Sequence, residues 1–219
     1  MIKLNSKGFS IAELTIAIVV AVIVSIMLTM ITIVFYGSIL RGQVESEMAV
    51  ESQIIFRNIV DELRLASEVR QTNSIVDANA PSGGWNTDTN LAILIIATPA
   101  IDNSRQFIID DDTGLPYQNE IIYFANNGAM SKRLLANPDA IGNKLITTCP
   151  ESIADINCPA DAQLSNDYEN MDFIFYDQDD VITTDTTLAR SVEMNIDLSR
   201  RIYGGDAEVN NNIRATLRN

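Results

Sequence analysis

Residues 11–36 read IAELTIAIVVAVIVSIMLTMITIVFY and contain one side chain that is charged at neutral pH, Glu13. A helix rises about 1.5 Å per residue, so this stretch would reach about 39 Å and cross a hydrocarbon core about 30 Å thick. In lipid every backbone polar group needs an internal partner, and a helix is the only single segment that supplies one. The stretch therefore predicts one membrane helix and a chain anchored in a lipid bilayer.

The charges on either side of this stretch predict its orientation. Lys3 and Lys7 precede it, whereas Arg41 follows it together with several glutamates. Basic residues stay on the cytoplasmic side, so we expect a single-pass protein of the cytoplasmic membrane with residues 38–219 outside. An ordinary secretory signal has a shorter apolar core, of about 7–15 residues, followed by a small-residue cleavage site. The apolar stretch is therefore expected to be retained.

The composition excludes several classes of function. The chain has 219 residues, no His, two Cys and a formal net charge of −14. Its acidity lies in residues 71–189 and would repel phosphates, so we expect no direct nucleic-acid partner. Without His there is no His-based triad or His zinc site, and the sequence contains no P-loop, Rossmann or GxSxG motif. We therefore expect neither an enzyme nor a resident cofactor.

Residues 38–70 continue the helical pattern beyond the membrane. Their apolar side chains recur at spacings of three, four and seven, which is typical of a helix with one buried face. A helix from Ile11 to about Val69 would be roughly 90 Å long. Three more apolar residues widen this face, so part of it is expected to contact adjacent molecules; the alternative is that all of it packs on the chain's own domain. The widening residues are Ile54, Phe56 and Val60.

Residues 71–219 are predicted to form a β-rich domain outside the membrane. Residues 71–90 contain Pro81 and two glycines and are expected to form a loop. The Asn126-Asn127-Gly128 sequence is a strong hairpin signal. The fold class is therefore α+β, with a long N-terminal helix packed on an antiparallel domain. The predicted strands are Leu91–Thr98, Gln106–Ile109, Glu120–Ala125, Ala129–Leu135, Met171–Tyr176, Ser191–Leu198 and Ala207–Leu217.

The N-terminus resembles the processing motif of type IV pilins and type II secretion pseudopilins. The motif is Gly8-Phe9-Ser10-Ile11-Ala12-Glu13-Leu14, and the preceding leader carries two lysines. The resemblance implies that a prepilin peptidase removes residues 1–8 and that the new N-terminal Phe9 is methylated. It also implies a pilin-like domain order, with the long helix at 9–70, the membrane segment at 11–36 and the outer domain at 71–219.

The resemblance also gives Glu13 a function. In this family the glutamate at the fifth position after the cut is thought to neutralise the N-terminus of a neighbouring subunit. An ion pair of this kind defines the relative position of two subunits, because an unpaired partner in low dielectric is costly. The alternative is a glutamate near the membrane surface that reaches water between the lipid headgroups.

The family resemblance implies a structural subunit of a type IV pilus or type II secretion-like filament. The implied partners are other pilin or pseudopilin subunits, the prepilin peptidase and a membrane assembly platform. Met30 stands where many major pilins have a helix-kinking proline, which favours a minor pilin or pseudopilin. A weaker similarity, to J-type minor pseudopilins, rests on Ile121–Phe124, Lys132–Leu134, Phe173–Asp177 and Ile213–Asn219. A membrane-anchored extracellular binding or adhesion protein that does not polymerise is the alternative.

The outer domain contains two further candidate sites. Cys149 and Cys158 lie in a segment expected to be extracytoplasmic, where a disulfide is favoured over free thiols. Asp177, Asp179 and Asp180 follow a predicted strand and are weak candidates for Ca²⁺ ligands, since the segment lacks the glycine and glutamate of an EF-hand loop. A solvated turn is the more ordinary interpretation of these aspartates and of the similar segment 110–114.

Overall fold

A computed structural model describes residues 10–147, 162–202 and 205–217. Within these ranges one long helix precedes two antiparallel sheets, so the protein is α+β. The helix is α1, Ile11–Leu63. The strands are β1 Glu68–Arg70, β2 Ile93–Pro99, β3 Gln118–Asn126, β4 Ala129–Leu135, β5 Ala162–Ser165, β6 Tyr168–Tyr176, β7 Ile182–Thr183, β8 Ser191–Ile202 and β9 Gly205–Thr216, with a short 3₁₀ helix at Thr186–Leu188.

Helix α1 has 53 residues and ends earlier than the sequence pattern indicates. The prediction extended the helix to residue 70, but the chain turns after Leu63 and Glu68–Arg70 form strand β1. The side chain of Val69 is buried, and β1 pairs with β2 through the partners Glu68↔Ala97 and Arg70↔Ile95. Pairing with a distant strand therefore overrides a local helical pattern, as tertiary contacts commonly do.

The first sheet has five strands in the order β1-β2-β3-β4-β5. The hairpin between β3 and β4 is confirmed: Asn127 and Gly128 have φ angles of 51° and 76°, which a tight type I′ turn requires. The expected strand at 106–109 is wrong, because this segment makes only isolated bridges. The pattern also missed the short edge strands β1 and β5, which have too few residues to show a period.

The second sheet has four strands in the order β7-β6-β8-β9. The alternation predicted for its two central strands is confirmed. On one face the side chains are buried, and on the other all except Ser191 are at least partly exposed. The buried side chains are Met171, Phe173 and Phe175 from β6 and Val192, Met194, Ile196 and Leu198 from β8.

The outer half of α1 packs against both sheets to form the main core. Met48, Ile55, Ile59 and Leu63, which recur at helical spacing on one face of α1, are buried, and Phe56 and Val60 are buried with them. Ile54, however, remains 57% exposed and its neighbour Val50 remains 55% exposed. One part of the widened apolar face is therefore buried against the domain, and the other part is exposed.

Residues 71–90 form a loop, as predicted, and cross the other face of the five-stranded sheet. Buried ion pairs fix this loop. Asp77 and Arg133 lie 2.5 Å apart with side chains that are each 1% exposed, and Trp85 donates its indole N–H to Asp77 at 2.8 Å. Glu120 is fully buried and lies 2.5 Å from Arg70. Removing one member of such a pair leaves a buried charge and is strongly destabilising.

The Asp77 carboxylate predicts an acid-dependent stability. Burial alone would raise the pKa of Asp77, but hydrogen bonds from Arg133, Trp85 and the Asn79 backbone lower it below the usual 3.8. As the pH falls, Asp77 is therefore protonated in the unfolded chain before it is protonated in the folded chain. Its ionised form stabilises the fold above about pH 4, and this stabilisation is lost as the pH falls further.

We expect Asp77→Asn to lower the free energy of unfolding at neutral pH by about 3–5 kcal/mol and to weaken its dependence on acid. Denaturant titrations of the full chain in detergent at several pH values measure both effects. The exposed Asp111→Asn variant is the control. Equal stability of the Asp77 and Asp111 variants would contradict the role given to the buried pair.

Candidate functional site

The N-terminal end of α1 is closed by a reciprocal pair of hydrogen bonds. The Glu13 backbone N–H donates to the Ser10 hydroxyl at 3.2 Å, and the Ser10 backbone N–H donates to the Glu13 carboxylate at 2.9 Å. This is a capping box, which satisfies amides that the helix cannot satisfy itself. It also holds the carboxylate at the positive end of the helix dipole, where a negative charge is stabilised.

The processing residues inferred from the family resemblance, Gly8 and Phe9, lie outside the described residues. The same is true of the cysteines Cys149 and Cys158. The disulfide and the processing site therefore remain predictions. Of the predicted site residues, Glu13 and the three aspartates at 177–180 fall within the described part of the chain.

The first half of α1 does not pack against the rest of the described chain. It is long and apolar enough to cross a membrane, and none of its most apolar stretch is buried. The hydroxyl groups of this stretch donate to backbone carbonyls one turn earlier, so they need no water. These bonds run from Thr15 to Ile11, from Ser25 to Ala21, from Thr29 to Ser25 and from Thr32 to Leu28. By length and composition the segment is suited to serve as a membrane anchor.

The domain contacts the helix beyond this exposed stretch. Arg41 lies 3.3 Å from Glu45 and donates from its guanidinium to the Asp206 carbonyl at the start of β9. Further along the helix, Asn211 of β9 donates to the Ser52 hydroxyl at 2.5 Å. The domain is thus attached along the outer half of α1, while the apolar half projects from it.

A polar link between α1 and the first sheet was missed by the sequence analysis. Tyr123 donates its hydroxyl to the Glu62 carboxylate, which also lies 2.6 Å from the Lys132 ammonium. Burial, reinforced by the charge of Glu62, raises the pKa of Tyr123 well above 10, so the phenol stays neutral. The register of the β3–β4 hairpin pairs Tyr123 with Lys132. This pairing was the feature from which a shared acidic partner could have been inferred. These three side chains thus connect α1 to the β3–β4 hairpin.

The weak Ca²⁺ candidates form a tight turn between β6 and β7. Both the Asp179 and the Val181 backbone N–H groups donate to the Asp177 carboxylate at 2.9 Å. Asp180 forms an ion pair with Arg214, whose guanidinium also lies 3.7 Å from the Tyr176 ring centre. Across residues 10–147, 162–202 and 205–217, no group of three metal-binding side chains is brought together. The geometry favours the turn over the cation site.

The segment at 110–114 is a turn of the same kind. The Asp110 carboxylate accepts a bond from the Asp112 backbone N–H at 3.0 Å and another from the Thr113 hydroxyl at 2.9 Å. These bonds, the first of them above all, lower the pKa of Asp110. The carboxylate therefore stabilises its own loop.

Comparison with known proteins adds no family. No protein-family model matches the chain, and no curated protein matches it. The sequence motif at residues 8–14 and the arrangement of the helix and the domain are therefore the features that bear on function.

We expect Ca²⁺ to leave the stability of the outer domain unchanged, since its candidate ligands already have protein partners. The test compares thermal unfolding of the full chain in a chelator and in about 10 mM Ca²⁺, a concentration that fills even weak extracellular sites. The same scan with Asp180→Asn serves as a control. If Ca²⁺ raised the thermal unfolding midpoint of the unmodified chain but not that of Asp180→Asn, the aspartates would have to be interpreted as a Ca²⁺ site.

Proposed function

We propose that the protein is a structural subunit, a minor pilin or pseudopilin, of a type IV pilus or type II secretion-like filament. The observation that carries the proposal is one uninterrupted helix from Ile11 to Leu63, whose apolar first half is exposed and whose second half enters an antiparallel domain. In this function the protein acts by polymerisation and catalyses no reaction. The lysines before the helix keep its N-terminus on the cytoplasmic side of the membrane, and the domain lies outside.

The length of α1 supports a filament subunit over a simple anchored protein. A membrane anchor needs about 20 apolar residues, after which a flexible linker would be sufficient. Here the helix continues 27 residues past Tyr36, as the bounds of α1 show. On that outer half Val50 and Ile54 are more than half exposed. A rigid helix with apolar side chains on its outside suits lateral contact with neighbouring subunits.

The capping box supports processing at the proposed position. Removal of residues 1–8 leaves Phe9 as the N-terminus and retains Ser10, so the bonds between Ser10 and Glu13 survive the cut. The new α-amino group has a pKa of about 8 and is cationic at neutral pH. This group belongs to the residue just before Ser10 in the sequence, and in the filament it would pair with the Glu13 carboxylate of a neighbouring subunit.

We expect the protein from native membranes to lack residues 1–8 and to carry one methyl group on Phe9. Intact mass spectrometry measures both changes, and a strain without prepilin peptidase activity is the control. An unprocessed N-terminus in cells with an active peptidase would favour the non-polymerising anchored protein instead.

We expect Glu13→Ala and Glu13→Leu to insert into the membrane and to be cut, but to be missing from the filament fraction. Without the carboxylate, the amino group of the neighbouring subunit would enter the helix core without a partner. Immunoblots of membranes and of sheared filaments measure this distribution. Thr15→Val is the matched control, because the Thr15 hydroxyl bonds only its own helix. Normal incorporation of the Glu13 variants would contradict the proposed role.

A further inference from the structure

The four-stranded sheet has two edges, β7 and β9, and neither pairs with another strand in the described part of the chain. Leu217 donates its backbone N–H to the Arg190 carbonyl. The backbone N–H and C=O groups of odd-numbered β9 residues therefore point toward β8. Even-numbered residues face away, and the outward Asp206 carbonyl accepts a bond from Arg41. The other even-numbered residues of β9 are all exposed: Glu208, Asn210, Asn212, Arg214 and Thr216.

The β7 edge is short, apolar and bordered by acidic residues. The Asp177 backbone N–H donates to the Val181 carbonyl, so Ile182 points its own backbone groups away from β6. Val181 and Ile182 are 58% and 64% exposed. Residues 177–185 contain four aspartates and no basic residue. An exposed β-branched edge of this kind is a ready template for pairing with another strand.

The β9 edge lies beside a groove with basic side chains. This α1–β9 groove has a volume of about 530 Å³. Its helix wall includes Arg57 and Arg64, which are exposed and form no ion pair within the described residues. Asp61 also lines the groove, so one net positive charge remains. Its β9 wall is formed by Asn211, Asn212 and Ile213.

The strand directions decide which edges can meet. The bonds from Arg41 to Asp206 and from Asn211 to Ser52 show that β9 runs in the same direction as α1. Because the sheet is antiparallel throughout, β7 runs in the opposite direction. Copies in one membrane have parallel helices, so β7 of one copy meets β9 of another in the antiparallel sense. Two β9 strands could pair in the antiparallel sense only if the α1 helices of the two copies pointed in opposite directions.

We propose that β7 of one copy adds to β9 of the next, so that the four-stranded sheet continues from subunit to subunit. The acidic turn before β7 then faces Arg57 and Arg64, and Ile182 lies beside Asn212 on the face of the sheet that is turned away from α1. The contact is heterologous, and therefore repeats without closing into a dimer. The parallel helices on which it depends are part of the proposed function.

The register gives the contact an axial step. Within one copy Ile182 is level with Tyr176, Ser191 and Thr216. The groove is centred at Asn212, four residues earlier in β9. A strand advances about 3.4 Å per residue, so the copy that supplies β7 is displaced by about 14 Å toward the membrane.

A chain with both Ile182→Cys and Asn212→Cys tests the contact in membranes. Mild oxidation should give a ladder of dimers, trimers and higher species, because each copy has both halves of the contact. Chains with only Ile182→Cys or only Asn212→Cys should stay at the background of the unmodified chain. A band limited to dimers, or equal cross-linking of the single variants, would overturn the proposal.

A proline variant tests the role of the backbone at the same edge. Asn212→Pro removes an outward N–H that the intact sheet does not use, and edge strands tolerate proline at such positions. Co-purification of two differently tagged copies should fall at least tenfold for Asn212→Pro and stay unchanged for Asn212→Ala. Matching unfolding midpoints establish that both variants are folded. Equal co-purification of the two variants would overturn the proposal.

The outcomes separate this contact from the filament function. A processed chain that enters filaments but gives no ladder would overturn the edge contact alone. An unprocessed N-terminus would overturn the proposed function, whatever the cross-linking result.

Discussion

The rest of the structure depends on one long helix, α1, whose backbone groups bond one another. A stretch of 26 residues with one charge is suited to lipid only if its backbone groups bond one another, and a helix satisfies them all. The Ser10–Glu13 cap begins that helix, and its hydroxyl side chains bond back to their own carbonyls. The same helix then continues into the domain, where both sheets pack against its outer half.

The sequence was sufficient where one physical effect dominates. Apolar length predicted the first half of α1, alternation predicted the buried faces of β6 and β8, and Asn127-Gly128 predicted its turn. The pattern was insufficient where distant contacts decide. Val69 continues the helical stripe, yet its segment pairs with β2 because the edge of that strand is available. No local pattern reports the availability of a partner almost thirty residues later.

The polar interior illustrates the same limit. Asp77, Arg133 and Glu120 look like surface residues in a sequence with many charges, but the loop at 71–90 buries all three. The aspartates at 177–180 were considered as possible ligands, and their oxygens instead accept bonds from the turn and from Arg214. Loop acids are thus as well suited to organising backbone as to binding ions. Only the packing of the loop distinguishes the two uses.

The alignment of β9 with the helix has a mechanical consequence. The β8–β9 ladder contains twelve residue pairs whose hydrogen bonds lie perpendicular to the strands. A pull along β9, parallel to α1, would load this ladder in shear, so many bonds would have to break together. A pull across the sheet would instead open the pairs one at a time, as a zipper does. The β8–β9 ladder therefore resists tension along the helix axis more strongly than tension across the sheet.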